Sequence, residues 1–205
     1  MQPQQRPRLY SYVVQHDNGQ APNPYFRVCT LCLCKFRSCP EQHRNIVELA
    51  KVGDWIVGTG GADLRISAGH GKLINAMRVD KKLTREQYFD DIRYEQKKAA
   101  QTSKYKQTRG DNKKPRTVFE KCEQFALISR HFYYFGVEAK KMDDIPERFH
   151  LEKKSPGFRS RFDPKVIRDF VEWLEKNHTP GKHGEPCYEE PFDTTKGNCR
   201  CKSSC

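Results

Sequence analysis

The sequence lacks any long apolar run. Hydrophobic residues make up 36% of its 205 residues, and the mean hydropathy is −0.92. No stretch approaches the roughly 18 apolar residues that a membrane-spanning helix needs, and the Gln- and Pro-rich start does not have the pattern of a signal peptide. We therefore expect a cytoplasmic protein that has no membrane partner.

Several common binding signatures are also missing. The stretch Gly58-Thr-Gly-Gly61 lacks the lysine of a phosphate-binding P-loop and the third spaced glycine of a dinucleotide site. A lipidation motif and a long basic amphipathic helix, which a membrane-surface adaptor would need, are absent as well. We expect no cofactor.

Acidic residues are few relative to basic ones, with 26 Asp and Glu against 38 Lys and Arg and a net charge of +12. This balance favours phosphate backbones through counterion release, so we expect nucleic acid as the partner. The charge is concentrated in residues 97–116, where Tyr105 is interleaved and Asp111 is the single acid. The predicted phosphate-binding residues are Lys97, Lys98, Lys104, Lys106, Arg109, Lys113, Lys114 and Arg116. A solvated surface loop is the alternative.

The apolar residues fall into short segments that predict an α+β fold. Residues 9–14 are apolar on both faces, which indicates a central strand, and residues 25–36 and 72–79 are also strand-like. We expect a small mixed or antiparallel β-barrel-like sheet with a few short helices.

Helix signals support this assignment. Thr84 and Gln87 form a capping box, and Asp163-Pro164 begins an amphipathic C-terminal helix that ends near Asn177. The expected organisation is a disordered leader over residues 1–8, one domain over 9–178 and a mobile cysteine-rich tail over 179–205.

The nine cysteines fall into two groups of four with Cys122 alone. The groups are Cys29, Cys32, Cys34, Cys39 and Cys187, Cys199, Cys201, Cys205. The first group lies on a predicted strand, which cannot place three thiols around one tetrahedral ion, so we expect buried thiols and no metal there. The tail is flexible enough to wrap a metal, or to carry redox-labile thiols.

The stretch Lys51-Val-Gly-Asp-Trp-Ile-Val-Gly-Thr-Gly-Gly61 predicts a buried strand that a Gly-Asp turn begins and a glycine-rich loop ends. A base pocket needs aromatic faces for stacking and polar groups for the base edge. The predicted base-binding residues are Asn23, Trp55, Gly58, Thr59, Gly60, Asp111, Asn112, Tyr133 and Tyr134. For the aromatic residues among them, ordinary core packing is the alternative.

Several segments together resemble the second family of nucleotide modification associated domains, found in bacteria and phages. The matching segments are Leu9-Tyr-Ser-Tyr-Val-Val14, Ala21-Pro-Asn-Pro24, Cys29-Thr-Leu31 with Cys34-Lys35, Lys51 to Gly60, Gly71-Lys-Leu-Ile-Asn-Ala-Met-Arg-Val79, Gly110-Asp-Asn112, Leu127-Ile-Ser129 and Phe132-Tyr-Tyr-Phe-Gly136. The resemblance covers residues 9 to about 175, with a longer link over residues 36–50 and a cysteine-rich end outside it.

This resemblance implies a role beside other proteins of a system that makes or handles modified DNA bases. Separately, a strand, the Gly-Asp turn and a second buried strand resemble the first part of the small β barrels of pseudouridine-synthase-associated domains. This is a likeness of fold alone.

Two functions follow as hypotheses. One is a nucleic-acid-binding module that recognises a modified or flipped base, and the other is a transferase-like enzyme that acts in the synthesis of a modified DNA base or nucleotide. The candidate catalytic residues are Cys29, Asp111 and His131, which have the side chains of a nucleophile and of acid/base groups.

Overall fold

The computed structural model describes residues 6–32, 46–97, 125–154 and 157–188, and in these ranges the chain has the predicted α+β class. The strands are β1 (Leu9–Val14), β2 (Cys29–Cys32), β3 (Trp55–Gly60), β4 (Leu73–Arg78), β5 (Lys81–Thr84), β6 (Phe125–Ser129), β7 (Phe132–Tyr134), β8 (Phe158–Arg159) and β9 (Gly181–Lys182). The helices are α1 (Ile46–Leu49), α2 (Arg85–Asp90) and α3 (Pro164–Asn177), with 3-10 turns at Ile92–Lys97, Gly136–Lys141 and Glu147–Phe149.

Six strands form one mixed sheet in the order β8-β1-β3-β4-β7-β9. β1 runs parallel to β3 and β7 runs parallel to β9, whereas the other neighbours are antiparallel. The prediction that β1 is buried on both faces is confirmed. Leu9, Tyr10, Ser11 and Tyr12, which alternate between the two faces, are all at most 2% exposed. Burial of successive residues is typical of a strand covered on both faces.

One row of paired residues crosses this sheet at a single level. In strand order it consists of Phe158, Tyr12, Gly58, Asn75, Tyr134 and Lys182. Paired residues share a face of a sheet and successive residues alternate between faces. Tyr134 and Lys182 therefore point to one side, and Tyr133 points to the other.

A second, antiparallel sheet has the order β2-β6-β5. Its two faces belong to different apolar clusters: Leu31 and Leu127 pack in the main core, whereas Ile128 packs with Tyr88 and Tyr94. The second sheet thus joins the main core to the smaller cluster around α2 and the following 3-10 turn.

The predicted helix ends are confirmed where the structure describes them. The Asp163 carboxylate accepts a hydrogen bond from the Lys165 backbone N at 2.7 Å, and Pro164 is the first residue of α3. Ile167 and Phe170 are buried on the inner face of the helix. At α2, the Thr84 and Gln87 side chains form the reciprocal capping box. Local sequence sets these ends because each side chain satisfies a backbone N-H that the helix leaves unpaired.

The described strands form two open sheets and no closed barrel. β8 and β9 lie at the two ends of the six-stranded order, and each pairs only two residues with its neighbour. A barrel would require these two edges to pair with each other. Among the described helices, none is both long and apolar enough to cross a membrane.

Candidate functional site

A cleft of about 400 Å³ opens at the β7–β9 edge of the six-stranded sheet. Three separated segments form its wall: the loop between β1 and β2, the turn between β6 and β7, and the chain entering β9. The lining residues are Pro24, Tyr25, Phe26, Arg27, Arg130, Phe132, Pro180, Gly181 and Lys182. We call it the aromatic-basic cleft, because it combines three aromatic rings with three cations.

The loop before β2 has an uncommon backbone. Phe26 and Arg27 each have a φ of 59°, in the left-handed region that residues with a side chain rarely adopt. Such a residue costs on the order of 1–3 kcal/mol and persists only where its surroundings fix it. Here Asn23 and Thr30 exchange two backbone hydrogen bonds of 2.9 Å each, which close the base of the loop. The result is that Phe26, 43% exposed, and Arg27 are presented to solvent.

A buried lysine holds this loop from the interior. Lys97 is 1% exposed, and its Nζ donates to the Asn23 backbone oxygen at 3.0 Å and to Asn23 Oδ1 at 2.7 Å. Burial of an ammonium group is tolerated when its donors find acceptors. Lys97 was predicted to bind phosphate, but the structure places it in the interior, where it supports the cleft from behind.

Tyr25 contacts both a charged and an aromatic side chain of the cleft. Lys182 Nζ lies 5.1 Å from the centroid of the Tyr25 ring and forms an ion pair with Glu185. The Tyr25 hydroxyl donates to Glu185 Oε2 at 3.3 Å, and the Tyr25 and Phe26 ring centroids are 6.4 Å apart. An aromatic face beside several cations can stack a planar ring and hold a phosphate group.

Behind the cleft, a buried carboxylate ties distant segments together. The Tyr134 hydroxyl donates to Asp17 Oδ1 at 2.6 Å, and the Cys187 backbone N donates to Asp17 Oδ2 at 3.2 Å. Because Asp17 is 1% exposed, the chain after β9 is fixed to the β1–β2 loop through an interior contact. We call Asp17, Tyr134 and Cys187 the Asp17 latch.

Burial sets the protonation of the Asp17 latch. It raises the pKa of Asp17, and the hydrogen bonds from Tyr134 and Cys187 oppose that rise. Burial and the neighbouring Asp17 charge raise the pKa of Tyr134 above its usual range and the pKa of the Cys187 thiol to about 12. Tyrosine and cysteine therefore remain neutral donors, which suits a structural contact better than proton transfer.

Over residues 6–124 and 114–194 the sequence matches the family described as nucleotide modification associated domain 2. The chain belongs to this family. No curated protein and no solved structure matches it. The resemblance found in the sequence is thus confirmed, and the matched ranges contain both the aromatic-basic cleft and the Asp17 latch.

The family match extends further than the sequence segments indicated. It reaches residue 194 and so includes Cys187, although the cysteine-rich end was expected to lie outside the resemblance. The structure gives a reason, because Cys187 belongs to the Asp17 latch and packs against the main core. The remaining tail cysteines, Cys199, Cys201 and Cys205, lie outside the described residues.

The predicted glycine loop is part of a strand in this family member. Gly58, Thr59 and Gly60 are the last residues of β3, and all three are buried. A Cβ at Gly58 would lie 2.1 Å from Asn75 Oδ1, and one at Gly60 would lie 2.0 Å from the Gly69 backbone oxygen. These glycines permit close packing of the protein on itself. The expectation that a loop begins at Gly58 is wrong, because β3 continues to Gly60.

Two of the predicted aromatic residues lie on the face of the sheet opposite Tyr134. Trp55 and Tyr133 have ring centroids 6.5 Å apart in a stacked arrangement, and both rings meet the His131 ring edge-on. His131 Nε2 lies 3.2 Å from Glu175 Oε1 on α3 and 3.3 Å from the Tyr133 hydroxyl. Trp55 and Tyr133 are at most 4% exposed. The structure thus separates the Tyr133-Tyr134 pair between two faces.

Of the other predicted site residues, one lies beside the cleft, one is buried in the core, and the rest lie outside the described residues. Asn23 borders the cleft as a buried support, whereas Asp111, Asn112 and residues 98–116 lie outside the described ranges. Cys29 is completely buried in β2, where burial raises the pKa of its thiol to about 12 against the opposing charge of Lys97. Groups of three potential metal ligands do not occur in the part of the chain that the structure describes.

None of the nine residues that line the cleft was among the predicted site residues. Tyr25, Phe26 and Arg27 follow Pro22-Asn-Pro24 directly, and Arg130 occupies the turn between two apolar strands. Loops carried on a rigid sheet often bear binding residues. A basic residue or an exposed aromatic residue at such a turn was the available signal.

Proposed function

We propose that this domain binds nucleic acid, with DNA as the expected polymer, and recognises a modified or flipped base within a DNA base modification system. The observation that carries the proposal is the aromatic-basic cleft. The family association with nucleotide modification supports a role in base modification, and the lining of the cleft supports a nucleotide as the ligand.

The cleft has the size and the chemistry that a nucleotide requires. Its volume of about 400 Å³ lies within the range of small-ligand sites, roughly 300–1,000 Å³. Stacking of a base on an aromatic ring contributes about 1–3 kcal/mol, which Phe26 or Tyr25 can supply. Arg27 and Arg130 offer guanidinium groups, which match phosphate oxygens in a bidentate geometry. A flipped base would therefore stack in the cleft while its flanking phosphates meet the arginines.

An enzyme of modified-base or nucleotide synthesis is the second candidate, and the His131 cluster favours it. A carboxylate 3.2 Å from a histidine nitrogen is the arrangement that orients a general base. However, neither His131 nor Glu175 is among the described residues that line the cleft. Binding is the function that the geometry supports better, because the rings and cations of the cleft meet at one place.

The proposal is tested by titrating a fluorescent duplex with the full chain at two salt concentrations. The probes are an unmodified duplex, the same duplex with one 5-hydroxymethylcytosine, and one with a single mismatch that lowers the cost of flipping. Phe26→Ala removes a stacking face, Arg130→Ala removes a phosphate partner, and Arg168→Ala is the control, since Arg168 is an exposed α3 residue away from the cleft.

We expect Phe26→Ala to reduce the preference for the modified or mismatched duplex by about 5- to 150-fold, the equivalent of 1–3 kcal/mol. Arg130→Ala should weaken binding to every duplex alike and lower the salt slope by about 0.9. Arg168→Ala should bind as the unaltered protein does. Equal affinities for Phe26→Ala and the control on all probes would contradict the assignment of the cleft.

A further inference from the structure

A second basic cleft of about 430 Å³ lies at the opposite edge of the six-stranded sheet, where β8 pairs with β1. Its described lining residues are Arg6, Pro7, Arg8, Ser160, Arg161, Phe162, Pro164 and Ile167. They include three arginines, all exposed, and no acidic residue. We call it the arginine cleft.

Both clefts open at the same end of the sheet. β1 and β3 begin at this end with Leu9 paired to Trp55, and β4 finishes there with Arg78 opposite Trp55. β7 begins there as well, since Phe132 pairs with Met77 and the Arg78 backbone N donates to the His131 oxygen at 3.0 Å. Arginines thus lie at three of these four strand ends: Arg8 before β1, Arg78 at the end of β4 and Arg130 before β7.

Two of the carboxylates at this end hold the backbone that bears the arginines, and a third, Glu175 on α3, lies 3.2 Å from His131 Nε2. Asp54, 5% exposed, accepts from the Arg8 backbone N at 2.8 Å and from the Lys51 backbone N at 2.9 Å. Asp80 accepts from the Arg130 backbone N at 2.6 Å and pairs with Arg78 at 3.4 Å, while the Arg78 side chain is 47% exposed. These two acids fix the strand ends, and the guanidinium groups remain at the surface.

We propose that this end of the sheet is a track for the phosphate backbone of a nucleic acid, running from the aromatic-basic cleft past Arg78 into the arginine cleft. The inference rests on the proposed function. It specifies that the ligand of the domain is a nucleic-acid polymer and not a free nucleotide. Guanidinium groups suit phosphate because their planar donor pairs match its oxygens and are weakly hydrated.

The spacing of the strands gives the length of the track. Neighbouring strands lie about 4.8 Å apart, so β1 and β7 are separated by about 14 Å, and the outer strands β8 and β9 by about 24 Å. Duplex DNA advances 3.4 Å per base pair, so the track corresponds to about four to seven base pairs. A mononucleotide cannot reach both clefts.

The test compares two triple variants of equal charge. In the first, Arg6, Arg8 and Arg161 are replaced by Ala; in the control, the exposed residues Lys141, Arg168 and Lys176, which line neither cleft, are replaced by Ala. Binding of a 12-base-pair duplex and of a thymidine trinucleotide is measured across a salt series, with circular dichroism as a check on folding. If loss of the Arg8 side chain prevents folding, Arg6→Ala with Arg161→Ala is compared with Arg168→Ala with Lys176→Ala.

We expect loss of the arginine cleft to lower the salt slope for the duplex by about 1.8–2.7, the value for two or three lost phosphate contacts, and to leave trinucleotide binding unchanged. The control should retain the original slope. Equal slopes for the two triple variants, with duplex binding intact in the unaltered protein, would overturn the track alone. Absence of duplex binding in the unaltered protein would overturn the proposed function and the track together. Binding of polyglutamate in preference to the duplex would assign the surface to an acidic protein and overturn the track.

Discussion

Replacement of Tyr134 by Phe should destabilise the protein more at neutral pH than in mild acid. The change removes only the hydroxyl that donates to Asp17 Oδ1 at 2.6 Å. A hydrogen bond to a charged group contributes about 1.5–3 kcal/mol, whereas one between neutral groups contributes about 0.5–1.5 kcal/mol. Because burial raises the pKa of Asp17, the charged carboxylate is the form that needs this bond most.

The sign of the pH dependence follows from linkage. Folding raises the pKa of Asp17, so this carboxyl ionises more easily in the unfolded chain than in the folded one. The stability of the fold therefore falls as the pH rises from the unfolded pKa through the folded pKa. Loss of the Tyr134 hydroxyl raises the folded pKa further and enlarges this effect. We therefore expect a loss of about 1.5–3 kcal/mol at pH 7.5, where the carboxylate is charged, and a smaller loss at pH 4.5.

The assay is urea denaturation at both pH values, with Tyr12→Phe as the matched control. Tyr12 lies in the same row of the sheet and is also buried, but its hydroxyl donates at 3.4 Å to the neutral amide oxygen of Asn75. Tyr12→Phe should therefore lose the same small amount at both pH values. An equal loss for Tyr134→Phe at the two pH values, or a larger loss in acid, would refute the charged state of the Asp17 latch.

Three further predictions concern packing and charge. Gly60→Ala should lower the thermal stability more than Gly58→Ala does. A Cβ at Gly60 meets the fixed Gly69 backbone, whereas one at Gly58 meets the Asn75 and Val14 side chains, which can move. The reverse order would contradict the packing argument. Lys97→Met should lower stability by about 1–3 kcal/mol and weaken duplex binding, because the two hydrogen bonds from Lys97 Nζ to the Asn23 oxygens are lost. Unchanged binding would show that Lys97 does not support the cleft. Replacement of Lys104, Lys106, Lys113 and Lys114 by Ala should lower the salt slope for every duplex by about 0.9 per lost phosphate contact, and an unchanged slope would make residues 98–116 a solvated loop.

Local sequence was enough to predict elements whose limits are set by neighbouring residues. The Asp163-Pro164 start of α3 and the Thr84–Gln87 capping box are contacts within a few residues, so they can be recognised without a tertiary structure. β1 was predictable for a related reason, because its apolar residues on both faces require cover on both sides.

The aromatic-basic cleft depends on contacts between distant parts of the sequence, and the sequence did not predict them. The Lys97 ammonium lies against Asn23, 74 positions away, and Tyr134 bonds Asp17 across 117 positions. Neither composition nor periodicity encodes such pairs. The prediction for Gly58–Gly60 failed for a different reason. Glycine allows close approach both of a ligand and of another part of the chain, and the sequence alone does not distinguish the two.

Photo-crosslinking tests the central claim most directly. A duplex with a single 5-iodouracil opposite guanine, a mismatch that favours flipping, is irradiated with the full chain, and the crosslinked peptide is identified by mass spectrometry. Because Tyr25 and Phe26 offer the stacking faces of the aromatic-basic cleft, we predict that the base is attached to one of these two residues and that Phe26→Ala lowers the yield. A crosslink elsewhere in the chain, with the Tyr25-Phe26 peptide unmodified, would contradict the account.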